Sequence, residues 1–446
     1  MENQVSLYKR AAIHNIEHIF RCQMDEQAHS AASDSSCSSD DSIIFGEDDT
    51  DGEEGDLIVL AAVVACNQAK KQRQSAYIRD CLEWEEHVQR LNLDSPDTFA
   101  RMYRMSHKSF QKLVRILQPR ISRDENMAKV KTSGKGPITS EVALHCLLRW
   151  LAGGSYLDIR ISAGLSVPLF YCIIYLCIDA ILAAEDFHYE FPTNVEKAAE
   201  DFQSISSNLA IQGCVACIDG YFLSIQTPSS SETQNVKAYY SGHYCKYGVN
   251  VQAACDHRSR FVSVCIAAPG GVNDIAAFWK TKVRELIHDL PIGKYAIGDN
   301  AYVCTEHLLT PFSGNERLHT TSDSYNFYLS QLRIRIKMAF GIMTEKWQIL
   351  RKPLRVKLKN AGKVFLCITR LHNYCINERC SDYETFDVES AMQRLRDTDE
   401  APPDPTVEAI QGRSIMRERL VARIFDLGLA RPARNLKQNN IDNEYL

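Results

Sequence analysis

Two aspartates stand where short apolar runs, typical of β-strands, come to an end. Asp219 follows the run 214–218 and precedes Gly220, and Asp299 follows the run 295–298. Carboxylates at the ends of neighbouring strands can converge on one edge of a sheet, where their oxygens suit Mg²⁺. Two such ions about 3.5–4 Å apart stabilise the attacking and leaving oxygens of phosphoryl transfer. Aspartates that simply end strands show the same pattern, so the residues alone leave both interpretations open.

A third carboxylate, Asp274, follows a Pro-Gly-Gly-Val-Asn stretch and precedes the helical run 275–278. An Asp in that position is a typical helix N-cap. Capping is the first interpretation, and an auxiliary role at the same sheet edge is the second.

Positive charge is concentrated in residues 331–363. These 33 residues contain ten Lys or Arg against a single acid, Glu345, for a net charge of +9. Such clusters attract phosphate and release counterions from DNA or RNA. Alternation with apolar residues over 355–359 predicts three cations on one side of an extended segment. The predicted nucleic-acid-binding residues are Arg333, Arg335, Lys346, Arg351, Lys352, Arg355, Lys357 and Lys359.

The net charge of the whole chain, -5, hides this uneven distribution. Residues 34–56 hold ten carboxylates and no Lys or Arg, so the remainder of the chain carries +5. A segment of that composition is predicted to be disordered, because it cannot bury enough apolar surface to offset its ordering entropy. It is either a docking tail or an electrostatic mimic of DNA. Over the whole chain, 45% apolar and 24% charged residues are average for globular proteins, which disfavours collagen-like and membrane-channel classes.

The sixteen cysteines are predicted to stay reduced, because the first twenty residues lack the pattern of a secretory signal. The longest apolar run, residues 57–66, is ten residues and falls short of the roughly 20 that cross a bilayer. We therefore expect a cytosolic or nuclear protein without a membrane partner.

Hydrophobic periodicity divides the chain into a helical part and a mixed part. Helical spacing with glycine-containing turns over 139–182 predicts either a helix-turn-helix or an ordinary bundle corner. From residue 213 strands form a meander, and helices follow at 274–287, 331–350 and 362–375, which predicts an α/β fold with a mixed sheet and flanking helices. The predicted domains are an N-terminal segment 1–56, a helical region 57–207, an α/β domain 208–380, and a linker with a basic helix, 381–446.

Several short segments carry a family resemblance in their order and spacing. They are Arg104-Met-Ser with Phe110 and Leu113, Val215-Ala-Cys-Ile-Asp-Gly, Tyr239-Tyr-Ser-Gly-His, Tyr247-Gly-Val-Asn-Val-Gln-Ala, Ala268-Pro-Gly-Gly-Val-Asn-Asp, Gly298-Asp-Asn-Ala-Tyr, Leu308-Leu-Thr-Pro-Phe, Ala339-Phe-Gly-Ile-Met and Leu371-His-Asn-Tyr-Cys-Ile-Asn. Together they resemble the transposases of PIF/Harbinger-type elements and the nuclease-like proteins derived from them. That family belongs to the DDE superfamily, and the resemblance implies an RNase H-like core.

By this resemblance, Asp219 and Asp299 match the family's first two catalytic, metal-binding aspartates, and the implied cofactor is Mg²⁺ or Mn²⁺. The third acid of the family is a glutamate on the late helix, and Lys337 stands at that position. A cation there would repel a divalent metal instead of coordinating it. Glu345 lies about 12 Å further along the helix, too far to substitute.

Two functions therefore remain open from the sequence. The first is a metal-dependent DNA nuclease or transposase, a hydrolase acting on phosphodiester bonds. The second is a domesticated, catalytically decayed transposase that binds DNA or a partner protein. The resemblance also implies a Myb-like DNA-binding partner, and DNA as the ligand implies the nucleus, with the cytoplasm as a second compartment.

Overall fold

Helices form the first part of the described chain and a sheet follows. The computed structural model describes residues 82–95, 97–122, 138–379, 412 and 414–432. All of these lie within one unit, 71–446. The predicted acidic segment 34–56, the apolar run 57–66 and most of 381–446 lie outside the described residues.

The helical part is built from amphipathic helices with side-chain caps. Ser106 caps α3, because its Oγ accepts a hydrogen bond from the Ser109 N–H, and the Thr139 hydroxyl caps α4 by accepting from the Val142 N–H. The helices are α1 (Trp84–Asp94), α2 (Thr98–Tyr103), α3 (His107–Ile121), α4 (Ser140–Leu151), α5 (Tyr156–Ser162), α6 (Val167–Ala183) and α7 (Val195–Ser204).

Helices α5 and α6 meet at a bend of 97°. Gly164 makes the turn with φ +66°. Helix α6 is a core helix, since Phe170, Ile174 and Cys177 are fully buried, and it contains no Lys or Arg. The predicted helix-turn-helix character is therefore not confirmed. Within the described ranges no single helix is long and apolar enough to span a membrane, and α5 with α6 reaches that length and apolarity only across the bend.

The sheet is mixed, in agreement with the predicted α/β class. Its order is β2-β3-β1-β5-β6, with β4 also paired to β3. The pairs β1/β3 and β3/β4 are antiparallel, whereas β1/β5 and β5/β6 are parallel. The strands are β1 (Cys214–Ser224), β2 (Tyr240–Ser241), β3 (Lys246–Cys255), β4 (Phe261–Pro269), β5 (Tyr295–Ile297) and β6 (Leu308–Leu309).

Helices cover both faces of this sheet. They are α8 (Asp274–Phe278), α9 (Lys282–His288), α10 (Thr320–Lys346), α11 (Leu358–Asn377) and α12 (Ile415–Asp426). On one face, Tyr221 of β1 packs against Phe340 of α10 and Phe365 of α11. On the other, Ile218 belongs to an apolar cluster with Phe278 and Val283 of α8 and α9. Odd positions of β1 from Cys217 onward therefore face α10, and even positions face α8.

The helical part packs on α11 and joins the same core. Arg370 Nη1 donates to the Leu182 carbonyl at 2.7 Å, and the Tyr374 hydroxyl donates to the Ser109 carbonyl at 2.7 Å. Lys363 forms an ion pair with Asp179 at 2.8 Å. The helices therefore brace α11 from the side opposite the sheet.

Two buried histidines predict acid sensitivity. His145 contacts the Tyr103 hydroxyl through Nδ1 at 2.7 Å, and His372 contacts the Ser259 carbonyl through Nε2 at 2.9 Å. Burial lowers the pKa of His145 to about 3 and that of His372 to about 4. Both stay neutral when folded but take up a proton near pH 6.5 when unfolded, so stability is lost as the pH falls below that value.

We expect each histidine to remove about 2 kcal/mol of unfolding free energy between pH 7 and pH 5. Urea denaturation at the two pH values measures this loss. The raised pKa values of Asp219 and Asp299 oppose this loss, because they make stability increase as the pH falls. A His145→Asn variant keeps an acceptor near Nδ1, and its change between pH 7 and pH 5 should differ from that of the unaltered protein by about 2 kcal/mol in the direction of less loss. An identical change in the two proteins would contradict the expectation.

Candidate functional site

Asp219 and Asp299 leave neighbouring parallel strands at equivalent positions. The last paired residues of β1 and β5 are Cys217 and Ile297, and each aspartate follows two residues later. Adjacent strands lie about 4.8 Å apart, and β5 ends here while β1 continues. The two carboxylates therefore share the opening at the carboxyl end of β5, the usual location of ligand sites in parallel sheets.

Each of the two carboxylates accepts a hydrogen bond from the backbone close to it in sequence. The Gly220 N–H donates to Asp219 Oδ1 at 2.9 Å, and the Ala301 N–H donates to Asp299 Oδ1 at 2.9 Å. Both side chains are partly buried. Burial, and next the charge of Asp299, raises the pKa of Asp219 well above its ordinary value, and burial raises the pKa of Asp299 too.

Two cations of α10 act against this rise. Lys337 and Arg333 each lower the pKa of both aspartates, although not enough to cancel the effect of burial. The two cations are four residues apart, so they lie one turn apart on the same face of α10. The structure thus brings Asp219, Asp299 and Lys337 together. It adds Arg333, which the sequence assigned only to nucleic-acid binding.

Asp274 is the first residue of α8 and does not cap it, so the N-cap prediction is wrong. The cap is Asn273, whose Oδ1 accepts from the Ala276 N–H at 2.9 Å. Asn and Asp are nearly equivalent caps, and the sequence placed the helix one residue too late. The Asp274 carboxylate is therefore available for other partners.

Those partners are two amides on β3. Asn250 Nδ2 and Gln252 Nε2 each donate to Asp274 Oδ1 at 2.9 Å, and the Tyr302 hydroxyl donates to Gln252 Oε1 at 2.7 Å. A Cβ on Gly220 would lie 2.3 Å from Asp274 Oδ1, so Asp274 approaches β1 from the face opposite Asp219. Sequence reasoning missed this network. The feature of the sequence that indicates this network is the pair Asn250 and Gln252 in an otherwise apolar strand, because buried amides require polar partners.

The side chains around Asp219 and Asp299 do not fit a bound divalent metal. In the described part of the chain, no three His, Cys, Asp or Glu side chains are arranged to hold an ion. Two carboxylates meet two cations here, whereas Mg²⁺ requires oxygen ligands. Glu345 forms an ion pair with Arg351 instead of approaching Asp219.

The predicted DNA-contacting residues divide into four groups. Lys346 is 6% exposed and is therefore excluded as a DNA contact, because a buried ammonium group cannot reach a phosphate. Arg333 and Arg335 are half-buried on α10. Arg351 is exposed but paired with Glu345. The exposed cations that form no ion pair with any described residue are Lys352, Arg355, Lys357 and Lys359.

Residues 352–357 pass along the end of β1, where Leu354 forms a single bridge with Ile225. The Leu354 N–H donates to the Ser224 carbonyl at 3.0 Å, and the Gln226 N–H donates to the Leu354 carbonyl at 3.1 Å. Leu354 and Val356 pack on the main core, so Arg355 and Lys357 point to the other face of the sheet. Lys359 already lies in the first turn of α11, so two cations, not three, share this side.

Residues 218–373 match the family model described as DDE superfamily endonuclease. The match includes Asp219, Asp299, Lys337 and the basic segment, and the mixed α/β architecture is consistent with a DDE nuclease fold. It covers about a third of the chain. Comparison with curated proteins and with solved structures found no match.

Proposed function

We propose that this protein is a transposase-derived DNA-binding protein of PIF/Harbinger type, with an RNase H-like domain that holds DNA but no longer cuts it. The observation that supports the proposal is that Lys337 and Arg333, one turn apart on α10, are close enough to Asp219 and Asp299 to lower the pKa of both. Where a DDE nuclease requires a third carboxylate, this chain presents cations. A phosphate group is a better ligand for these cations than a metal ion is.

DNA is the ligand that the charge distribution supports. The exposed cations Lys352, Arg355, Lys357 and Lys359 lie beside the carboxyl end of β1, and the domain match concerns an endonuclease. Contacts between such side chains and phosphates position a protein on DNA without reading its sequence. The proposed binding is therefore electrostatic and largely independent of sequence.

A partner would have to supply sequence recognition. Helix α6, the second helix of the predicted helix-turn-helix, contains no Lys or Arg and buries one face in the core. It therefore lacks the basic surface with which a recognition helix approaches the major groove. The proposal accordingly includes a Myb-like DNA-binding partner and a nuclear location.

The second candidate function is a metal-dependent nuclease or transposase. The equivalent positions of Asp219 and Asp299 on β1 and β5 favour it, since they preserve two of the three acids of a DDE site. It requires a further ligand from elsewhere, and Asp274, whose charge raises the pKa of both aspartates, is the candidate among the described carboxylates. The metal response and DNA nicking of a Lys337→Glu variant separate the two functions.

Salt-dependent DNA binding tests the main proposal. We expect the Lys352→Ala/Arg355→Ala/Lys357→Ala variant to bind a fluorescein-labelled duplex about 100-fold more weakly at 0.1 M salt, because three phosphate contacts are lost. The slope of log K against log salt should fall by about 2.7. Fluorescence anisotropy between 50 and 200 mM NaCl measures both quantities.

Lys363→Ala is the matched control, because Lys363 is exposed but paired with Asp179. It should change the affinity less than threefold. A triple variant that binds with the affinity and slope of the unaltered protein would refute the proposed DNA surface, as would binding that does not depend on salt.

A further inference from the structure

An exposed aromatic stack lies on the sheet face opposite Asp219. The ring of Tyr244 stacks on Phe222, with centroids 4.4 Å apart and planes 22° apart, and His243 meets Tyr244 edge to face at 4.6 Å. Tyr244 is 39% exposed. Large aromatic rings that remain exposed on a rigid support are typical of binding surfaces.

Two glycines make the support for this stack. A Cβ on Gly248 would lie 2.3 Å from the Phe222 ring, and a Cβ on Gly270 would lie 2.7 Å from it. The Phe222 ring therefore lies flat over backbone that carries no side chains. Because Phe222 belongs to β1, the sheet holds Tyr244 in a fixed position before any ligand arrives.

Two cations lie on the same face as the stack, and the Asp274 carboxylate on that face is already bound by Asn250 and Gln252. Lys246 lies two residues before Gly248 on β3, and Arg355 follows Leu354, which bridges to Ile225 of the same sheet. Alternation along the strands places Lys246 and Arg355 on the Phe222 face. Residues 233–255 contain no Asp or Glu. We call Phe222, His243, Tyr244, Lys246, Arg355 and Lys357 the aromatic-basic face.

Glu232, which directly precedes residues 233–255, offsets part of the charge of Lys357. Its Oε1 accepts a hydrogen bond from the Leu358 N–H at 2.8 Å, and its Oε2 accepts one from the Ser229 N–H at 3.1 Å. Burial acts to raise the pKa of Glu232, but these donors and the charge of Lys357 lower it overall. These hydrogen bonds tie the Glu232 carboxylate to the backbone at the start of α11 and at Ser229.

We propose that the aromatic-basic face binds an unpaired DNA strand. This inference rests on the proposed function and deepens it, since it names the form of DNA bound at a face that shares Arg355 and Lys357 with the duplex surface. A base stacks on Tyr244 while Lys246 and Arg355 hold phosphates, the combination by which proteins bind single strands without sequence preference. The face differs from the Asp219 site, because Phe222 lies three residues further along β1, about 10 Å away, on the opposite face.

The test compares single-stranded and duplex DNA on the full chain. The probes are a fluorescein-labelled single strand of about 15 nucleotides and the same strand annealed to its complement. Loss of one stacking platform costs about 1–3 kcal/mol, so Tyr244→Leu should weaken single-strand binding about 5- to 150-fold. It should leave duplex binding within twofold. Tyr244→Phe keeps the aromatic ring and should bind both probes like the unaltered protein.

The possible outcomes distinguish a failure of this inference from a failure of the proposed function. Single-strand affinity that Tyr244→Leu leaves unchanged, or reduces no more than duplex affinity, overturns the inference. Duplex binding without single-strand binding overturns the inference and leaves the proposed function standing. Single-strand binding that depends on Tyr244, with no duplex binding, supports the inference and overturns the duplex surface. Leu fills most of the volume of Tyr244, and matching thermal unfolding of the variants verifies folding.

Discussion

Replacing Lys337 with glutamate is expected to make the protein respond to Mg²⁺ and Mn²⁺, whereas the unaltered protein will not respond. The change alters the local charge by two units and places a third carboxylate beside Asp219 and Asp299, which Lys337 already influences electrostatically. Without metal the variant should be less stable, because three carboxylates repel one another. A metal at 100 times its dissociation constant then adds about 2.7 kcal/mol, a rise of several degrees in Tm.

Thermal unfolding with and without each metal measures this response, and nicking of supercoiled plasmid shows whether catalysis returns. Lys337→Gln is the control, since it removes the cation without adding a ligand, and it should show no metal response. Adding Asp299→Asn to Lys337→Glu should abolish any gain. If the unaltered protein nicks DNA in Mg²⁺, catalysis has not been lost, and the nuclease is the correct function. If Lys337→Glu does not respond, the three positions do not form an inherited site.

The second large effect is expected at Gly213, directly before β1. Gly213 has φ +91°, and a Cβ there would lie 2.4 Å from the Gly293 carbonyl oxygen. Its own carbonyl accepts the Tyr295 N–H at 3.1 Å, which sets the register between β1 and β5. Gly213→Ala combines a positive φ, costing about 1–2 kcal/mol, with a clash against backbone, costing about 1–3 kcal/mol.

We therefore expect Gly213→Ala to lower the unfolding free energy by about 3 kcal/mol, measured by urea denaturation. Gly293→Ala is a matched control, because Gly293 has φ +85° but a Cβ there meets no atom within 4 Å. It should cost only about 1–2 kcal/mol. Equal losses in the two variants would show that the close approach of the two strands is absent.

Local pattern was sufficient to predict some of the site. Apolar runs ending at Asp219 and Asp299 predicted strands, and the register of β1 and β5 places these residues at equivalent positions. The family resemblance, and not spacing alone, singled out Lys337. Strand ends and helix turns repeat at fixed intervals, so residue type and spacing can indicate where these side chains lie, while their catalytic and metal-binding roles stay predictions.

Other features depended on how elements pack. Asp274 was predicted to cap α8, but Asn273 does so, and Asp274 instead accepts hydrogen bonds from Asn250 and Gln252 on another strand. Lys346 belongs to the basic cluster by sequence yet is 6% exposed. Neither partner choice nor burial follows from local periodicity, since both are set by residues far away in the chain.

The sequence by itself was sufficient to predict the mixed α/β class, to single out Asp219, Asp299 and Lys337 as candidates, and to locate the concentration of cations in 331–363. Only the tertiary structure decided which cations remain exposed, that Arg333 joins Lys337 beside the aspartates, and that Tyr244 stacks on Phe222 above two glycines. The physical reason is that charge and periodicity are properties of neighbouring residues. Exposure and electrostatic environment arise when β1, β3 and the segment 352–357 are brought side by side.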